Sequence, residues 1–213
     1  MNLEEKLPVQ KLVDISLEVG MVPDAKFHYK WHEYSRWQLD MLVKVGLKKD
    51  HKLLDIGCGP LRFGMEAINY LNDDCYYGMD PYKPYISLGA KMYEYSGLTK
   101  KYTVIEDEEF GFQRFNTKFD FANSQSVFTH LSRAQVKLAM TNLKEVMNEG
   151  GTLLFTNIEA GYPRGFLYGS RHPMFTGIGM TREFYEEICS ELGLKLEYNA
   201  VEHPTQGAHL IKF

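Results

Sequence analysis

The stretch Lys52 to Gly64, K-L-L-D-I-G-C-G-P-L-R-F-G, constrains this chain more than any other. It opens on an apolar run, Leu53, Leu54 and Ile56, interrupted by Asp55. It continues into Gly57, Cys58 and Gly59, and then into residues able to start a helix. A strand that ends in a glycine turn and feeds a helix makes a ligand site. Glycine lets the backbone approach a ligand closely, and the helix N-terminus offers free N–H groups. The Asp55 carboxylate just before the turn disfavours a phosphate and favours a ligand that carries positive charge.

The chain around this turn alternates between strand and helix. An amphipathic helix is predicted over residues 3–20, with Pro8 starting or kinking it, and a second over about 31–45, ended by Gly46. The cluster Tyr29, Trp31, His32 and Trp37 reads as a packed aromatic face, with a flap over the ligand as the alternative. Strands follow at about 52–56, 75–79, 102–105, 119–122 and 152–156, with helices between them at about 61–71, 84–96 and 132–147. Ser132 and Gln135 form a capping-box pattern. Glu149-Gly150-Gly151 reads as a turn. After a glycine- and aromatic-rich segment, 159–180, Thr181 caps a last helix. Two strands, about 195–199 and 208–213, then form an antiparallel hairpin. The alternation predicts an α/β fold of the Rossmann-like kind. Its seven-stranded sheet is mostly parallel, with helices on both faces, an antiparallel last strand and an N-terminal helical extension. One domain over residues 1–213 is expected, with 1–50 as a cap and 159–180 as the substrate loop.

Asp80 is the second anchor. It follows the second strand, 23 residues after Gly57, with Pro81 next. In doubly wound sheets an acid there accepts hydrogen bonds from ribose hydroxyls, so the ligand is a nucleoside. A dinucleotide site needs G-x-G-x-x-G, but the third glycine position holds Arg62 and the next glycine is Gly64. With Asp55 before the turn, a nicotinamide dinucleotide is disfavoured. The competing nucleoside is S-adenosylmethionine, which has no phosphate but carries a sulfonium, an ammonium and a ribose.

Four segments carry a family resemblance: L-L-D-I-G-C-G-P, Y-Y-G-M-D-P, F-D-F-A-N-S-Q-S-V-F-T-H-L-S and N-E-G-G-T-L-L-F-T. In order and spacing over residues 52–157 they resemble the motifs of class I S-adenosylmethionine-dependent methyltransferases. The helix before the first motif and the C-terminal hairpin with His203-Pro204 also look like those of a subgroup reading G-C-G-P-L-R at the first motif and S-V-F-T-H-L after the fourth strand. The resemblance implies methyl transfer with S-adenosylmethionine as cofactor and S-adenosylhomocysteine as product. It implies that Gly57, Cys58 and Gly59 pass close to the cofactor, that Asp55 faces its ammonium and that Asp80, with Pro81, holds the ribose. It puts Asp107 at the adenine, with Glu106 and Glu108 as rivals, and Asn123, Ser124 and Gln125 near the methyl end.

Methyl transfer needs alignment of acceptor, methyl and sulfur, and a base where the acceptor loses a proton. Histidine suits that task. Of the seven, His130 lies past the fourth strand and His172 beside Arg171 in the 159–180 segment, while His28 and His32 lie near the N-terminus. His130 and His172 are the catalytic candidates; bonding at its own helix start is the competing reading of His130. The aromatic residues of 159–180 with Arg164 and Arg171 suggest a small acceptor with a ring or apolar portion and a negative group. O-methylation is expected first, with an amino nitrogen, a protein side chain or a catalytically silent cofactor-binding subunit as alternatives.

Net charge −4 gives no nucleic-acid footprint, and no metal is expected. Three cysteines without ligand spacing suggest a reducing cytoplasm, and no apolar run approaches the ~20 residues of a membrane span. Neither membrane nor nucleic acid is expected as a partner.

Overall fold

The computed structural model describes residues 1–21, 30–158 and 180–213. His28, Tyr29, Arg164, Arg171, His172 and the rest of the 159–180 loop except Met180 lie outside the described residues. Two compact units divide the chain, Met1–Glu108 and Glu109–Phe213. The sheet has seven strands in the order β3-β2-β1-β4-β5-β7-β6. The strands are β1 (Leu53–Ile56), β2 (Tyr76–Asp80), β3 (Thr103–Glu106), β4 (Phe119–Ser124), β5 (Met147–Asn157), β6 (Lys195–Val201) and β7 (Gly207–Lys212).

In the first unit the predicted N-terminal helix is two, α1 (Leu3–Lys6) and α2 (Val9–Glu18). Pro8 cannot donate an N–H to continue the first, and stands in extended conformation at the head of the second. Helix α3 (Trp31–Lys44) packs against α4 (Arg62–Tyr70), which follows the glycine turn. Trp31 is buried, and His32 Nε2 lies 2.7 Å from the Leu7 carbonyl. These two residues therefore pack the helix face. Strands β1, β2 and β3 are parallel, with Ile56 beside Met79 and Asp80 beside Glu106. Helix α5 (Lys83–Ser96) connects β2 to β3 and ends at Gly97, whose φ of 74° is left-handed. The core of this unit is Leu53, Leu54, Ile56, Met65, Ile68 and Met79 with neighbours from α5.

The second unit pairs β4 with β5 in parallel and β5 with β7 antiparallel, and β6–β7 is the expected hairpin. Helix α6 (Arg133–Val146) carries the predicted box: Ser132 Oγ accepts from Gln135 N–H, and Gln135 Oε1 accepts from Ser132 N–H. Helix α7 (Arg182–Leu192) is capped by the Thr181 hydroxyl. The expected turn at Glu149-Gly150-Gly151 is instead part of β5, with a register shift opposite Phe119–Phe121. Gly150 takes φ 77°, its N–H donates to the Phe213 carbonyl at 2.7 Å, and Asn148 reaches Asp120 at 2.7 Å. The glycines there make a bulged strand rather than a break.

His209, unmarked by any sequence pattern, organises the hairpin. It is fully buried on β7 and stacks on Tyr198 at 3.9 Å. Its Nδ1 accepts from Asn199 N–H at 2.9 Å, so Nε2 carries the proton and donates to Asn157 Oδ1 at 2.5 Å. A side chain at Gly207 would meet the ring at 2.8 Å. Burial pulls the His209 pKa from 6.5 to about 4. The unfolded chain therefore takes up a proton that the folded chain refuses. The stability contributed by this neutral ring is full above pH 6.5, falls as pH drops toward about 4 and is gone below. Urea unfolding across that range should show this slope, and His209→Gln should flatten it.

Candidate functional site

The glycine turn is stitched to β2 by its own backbone. The N–H groups of Gly57 and Cys58 both donate to the Met79 carbonyl, at 2.8 and 3.0 Å. Gly57 and Gly59 hold φ of 70° and 53°, a region open to glycine at little cost. Leu61 also takes a left-handed φ, 59°, at the head of α4. Asp80 closes the arrangement: its Oδ2 accepts from Gly59 N–H at 2.9 Å and its Oδ1 from Tyr82 N–H at 2.8 Å. The sequence placed Asp80 after its strand; it is the strand's last residue. Burial raises its pKa, and the two N–H groups oppose that rise. Each oxygen keeps a lone pair, so the carboxylate can accept from two ligand hydroxyls. Nothing described stands within 4 Å of where a Gly59 side chain would begin, which leaves room over the turn.

Asp55 is buried on β1 and accepts a hydrogen bond from the Tyr76 hydroxyl at 2.6 Å. Gly64 makes this possible, since a Cβ there would lie 2.5 Å from that hydroxyl. Gly78 does the same for Cys58, whose sulfur would lie 3.0 Å from a Cβ at that position. Burial first, then Asp55 and Asp80, pushes the Cys58 thiol well above its ordinary pKa, so it stays protonated and unreactive. Gly89 lets α5 cross the turn, where a Cβ would meet Leu61 and Pro60 at 2.9 Å. Arg62, in place of a third glycine, lies 5.5 Å from the Tyr34 ring on α3. The Ser35 hydroxyl reaches the Arg62 carbonyl at 2.7 Å. Pro81 is exposed. Asp107 N–H donates to the Asp80 carbonyl at 3.2 Å, and Asp107 is half-buried whereas Glu106 and Glu108 are exposed.

In the second unit, Asn123 and Ser124 lie within β4 rather than after it, and both are buried. Gln125 Nε2 donates to Asn123 Oδ1 at 3.1 Å. Ser126 takes φ 59°, its N–H donates to Thr156 Oγ1 at 2.8 Å, and its carbonyl accepts from Thr129 Oγ1. His130 closes a 3₁₀ turn, Phe128–His130, before α6. Ser132, two residues on, caps that helix. His130 is half-buried, and burial lowers its pKa, which favours the neutral imidazole. No group of three or more His, Cys, Asp or Glu among the described residues could hold a metal ion. No described helix is long and apolar enough to cross a membrane.

A glycine turn with open space above it, next to a buried acid with two oxygens available to hydroxyls, fits a nucleoside that has no phosphate. S-adenosylmethionine is a nucleoside of that chemistry. Residues 53–151 match the family described as "Methyltransferase domain", and that stretch belongs to it. Among solved structures, magnesium protoporphyrin IX methyltransferase from Synechocystis PCC 6803 with bound S-adenosylmethionine is 11% identical, with a TM-score of 0.65 over 99% of this chain and 97% of that one. A S-adenosylmethionine-dependent methyltransferase from Clostridium acetobutylicum ATCC 824 is 15% identical, with a TM-score of 0.62 over 96% and 97%. TehB from Haemophilus influenzae is 19% identical, with a TM-score of 0.61 over 81% and 61%. At these identities the likeness is one of fold. No curated protein matches the sequence. The stretch 53–151 therefore carries a methyltransferase domain.

Two substitutions test the framework of the turn. Gly64→Ala should cost about 1–3 kcal/mol by overpacking Tyr76 against Asp55. Tyr76→Phe should cost a similar ~1–3 kcal/mol, by leaving a buried carboxylate one donor short. Urea unfolding measures both.

Proposed function

We propose that this chain methylates a hydroxyl oxygen of a small-molecule acceptor. The observation that carries the reading is the chemistry at the end of β4, where amides and hydroxyls stand with a half-buried imidazole held toward its neutral form. A neutral imidazole can take the proton that a hydroxyl loses. An acidic or N-P-P-type signature, which would suit an amino nitrogen, is absent from A-N-S-Q. The wider expectations stand with this proposal: one domain, residues 1–50 as a cap, 159–180 as the substrate loop, and a cytoplasmic location without nucleic-acid or membrane partners.

S-adenosylmethionine, when bound, supplies a methyl group already activated on a sulfonium. The chain's own residues hold and orient. Asp80 and Pro81 take the ribose, with Gly59 N–H fixing one carboxylate oxygen. Gly57, Cys58 and Gly59 give the cofactor close approach, and Asp55, fixed by Tyr76, faces its ammonium. Asp107, set beside Asp80 by its N–H, takes the adenine. Asn123, Ser124 and Gln125 stand at the methyl end. His130 would accept the proton that the acceptor hydroxyl loses. His172 is the other candidate base.

Calorimetry with S-adenosylmethionine and S-adenosylhomocysteine should give binding that Asp80→Ala weakens at least ~10-fold, since a hydrogen bond to a charged group contributes about 1.5–3 kcal/mol. Binding indifferent to Asp80→Ala would remove the ribose assignment. Release of S-adenosylhomocysteine with hydroxyl-bearing acceptors supports O-methylation. Release with amines or proteins alone would overturn it, and binding without turnover together with a copurifying partner would favour a silent subunit. With a turned-over acceptor, kcat/KM should rise with pH along a limb centred below 6.5, because burial lowers the pKa of the base. His130→Ala should remove that limb.

A further inference from the structure

The end of β4 and the turn after it gather side-chain oxygens that no hydrogen bond of the described residues uses. Ser124 is fully buried, and its hydroxyl has no hydrogen-bond partner among the described residues. The side-chain oxygens of Gln125 and Gln206 are equally shielded from solvent and equally without a partner there. One hydrogen of each of their nitrogens is engaged internally. Gln125 Nε2 donates to Asn123 Oδ1 at 3.1 Å, and Gln206 Nε2 donates to Ser126 Oγ at 2.9 Å. The atoms enclosed without any partner among the described residues are two amide oxygens, which accept, and one hydroxyl. No Lys or Arg among the described residues takes part in these bonds. Gln206 comes from the turn between β6 and β7, 80 residues along the chain from Ser126. That turn is braced by His203, whose Nδ1 accepts from the N–H groups of Thr205 and Gln206 at 3.2 and 3.0 Å.

Buried acceptors without donors cost stability unless a ligand supplies the donors. We propose that Ser124, Gln125 and Gln206 form the recognition patch for the methyl acceptor. The patch takes an uncharged molecule that donates hydrogen bonds, such as a neutral polyol or phenol, and Gln206 is its specificity-determining residue. The inference rests on the methyl-transfer reading above and narrows its substrate class. A carboxylate or phosphate acceptor would set its negative charge against two amide oxygens. An ether or ester without N–H or O–H would leave those oxygens unsatisfied. Either is rejected more strongly than a smaller donor-bearing molecule, because a buried polar group left unpaired discriminates more sharply than a missing methylene.

Three ring probes of similar size separate these cases: catechol, which donates; 1,2-dimethoxybenzene, which only accepts; and benzoate, which is anionic. Ligand-observed NMR should show catechol binding at least ~10-fold tighter than the other two, both with S-adenosylhomocysteine present and without it. Gln206→Leu should remove that preference while leaving S-adenosylhomocysteine affinity within about twofold by calorimetry. Ser124→Ala should weaken catechol while keeping or raising the urea midpoint, since the hydroxyl it removes has no partner among the described residues of the folded chain. Benzoate or dimethoxybenzene binding as well as catechol, no catechol binding at all, or catechol binding indifferent to both substitutions would overturn the proposal. If S-adenosylhomocysteine fails to bind the wild-type chain, the donor reading falls instead, and the catechol comparison without it still decides the patch.

Discussion

A single carboxylate orders the first unit of this protein. Asp80 ends β2 and spends one oxygen on Gly59 N–H and the other on Tyr82 N–H. The first bond fixes the glycine turn at the height of the strand end, and the second starts the approach to α5. Its own carbonyl accepts from Asp107 N–H, which seats the segment after β3. Three consecutive strand ends of the first unit are thus indexed to one residue. Burial works against the charge, and the two N–H groups hold it, so the site keeps a negative group with lone pairs to spare. A neutral amide at this position could satisfy one N–H but would turn a donor toward the other.

The second negative group, Asp55, is managed differently. It is enclosed within β1 and accepts from a tyrosine on the neighbouring strand. The tyrosine reaches it only because position 64 has no side chain. This gives Gly64 a reason unrelated to phosphate binding. In a dinucleotide turn the third glycine serves close helix–strand packing. Here a glycine two positions later admits a hydroxyl to a buried carboxylate. Gly78 and Gly89 serve the same turn from the other side, admitting Cys58 and the backbone around Pro60. The turn is therefore shaped by missing side chains on three elements.

Much of this was legible in the sequence because it is local. The alternation of apolar runs gave the strands, the Ser132–Gln135 box gave the start of α6, and the Gly57–Gly59 spacing with an acid 23 residues on gave the turn that Asp80 closes. What escaped depends on pairs far apart in the chain. Nothing near position 209 signals that its ring will stack on Tyr198 and bond Asn157, 52 residues earlier. Strand ends were placed short at Asp80, Glu106 and Ser124 because polar residues read as turn. In the fold each continues the ladder, and two of the three are buried. The glycines at 150 and 151 misled for the opposite reason: in a bulge they extend a strand instead of ending it.

The end of β4 obeys a rule of its own. At the glycine turn both buried carboxylates, Asp55 and Asp80, accept from donors of the fold itself, and the charge present is negative. At the end of β4 one hydrogen of each glutamine nitrogen is engaged internally while oxygens of Ser124, Gln125 and Gln206 are enclosed without donors among the described residues. The sequence pointed to Arg164 and Arg171 and hence to an anionic acceptor, and both lie outside the described residues. The atoms that are described argue for the reverse polarity, a neutral acceptor that brings its own hydrogens. Gln206 reaches that position because an imidazole nitrogen holds two successive N–H groups of the β6–β7 turn. Its selectivity would then depend on a histidine that touches neither cofactor nor acceptor.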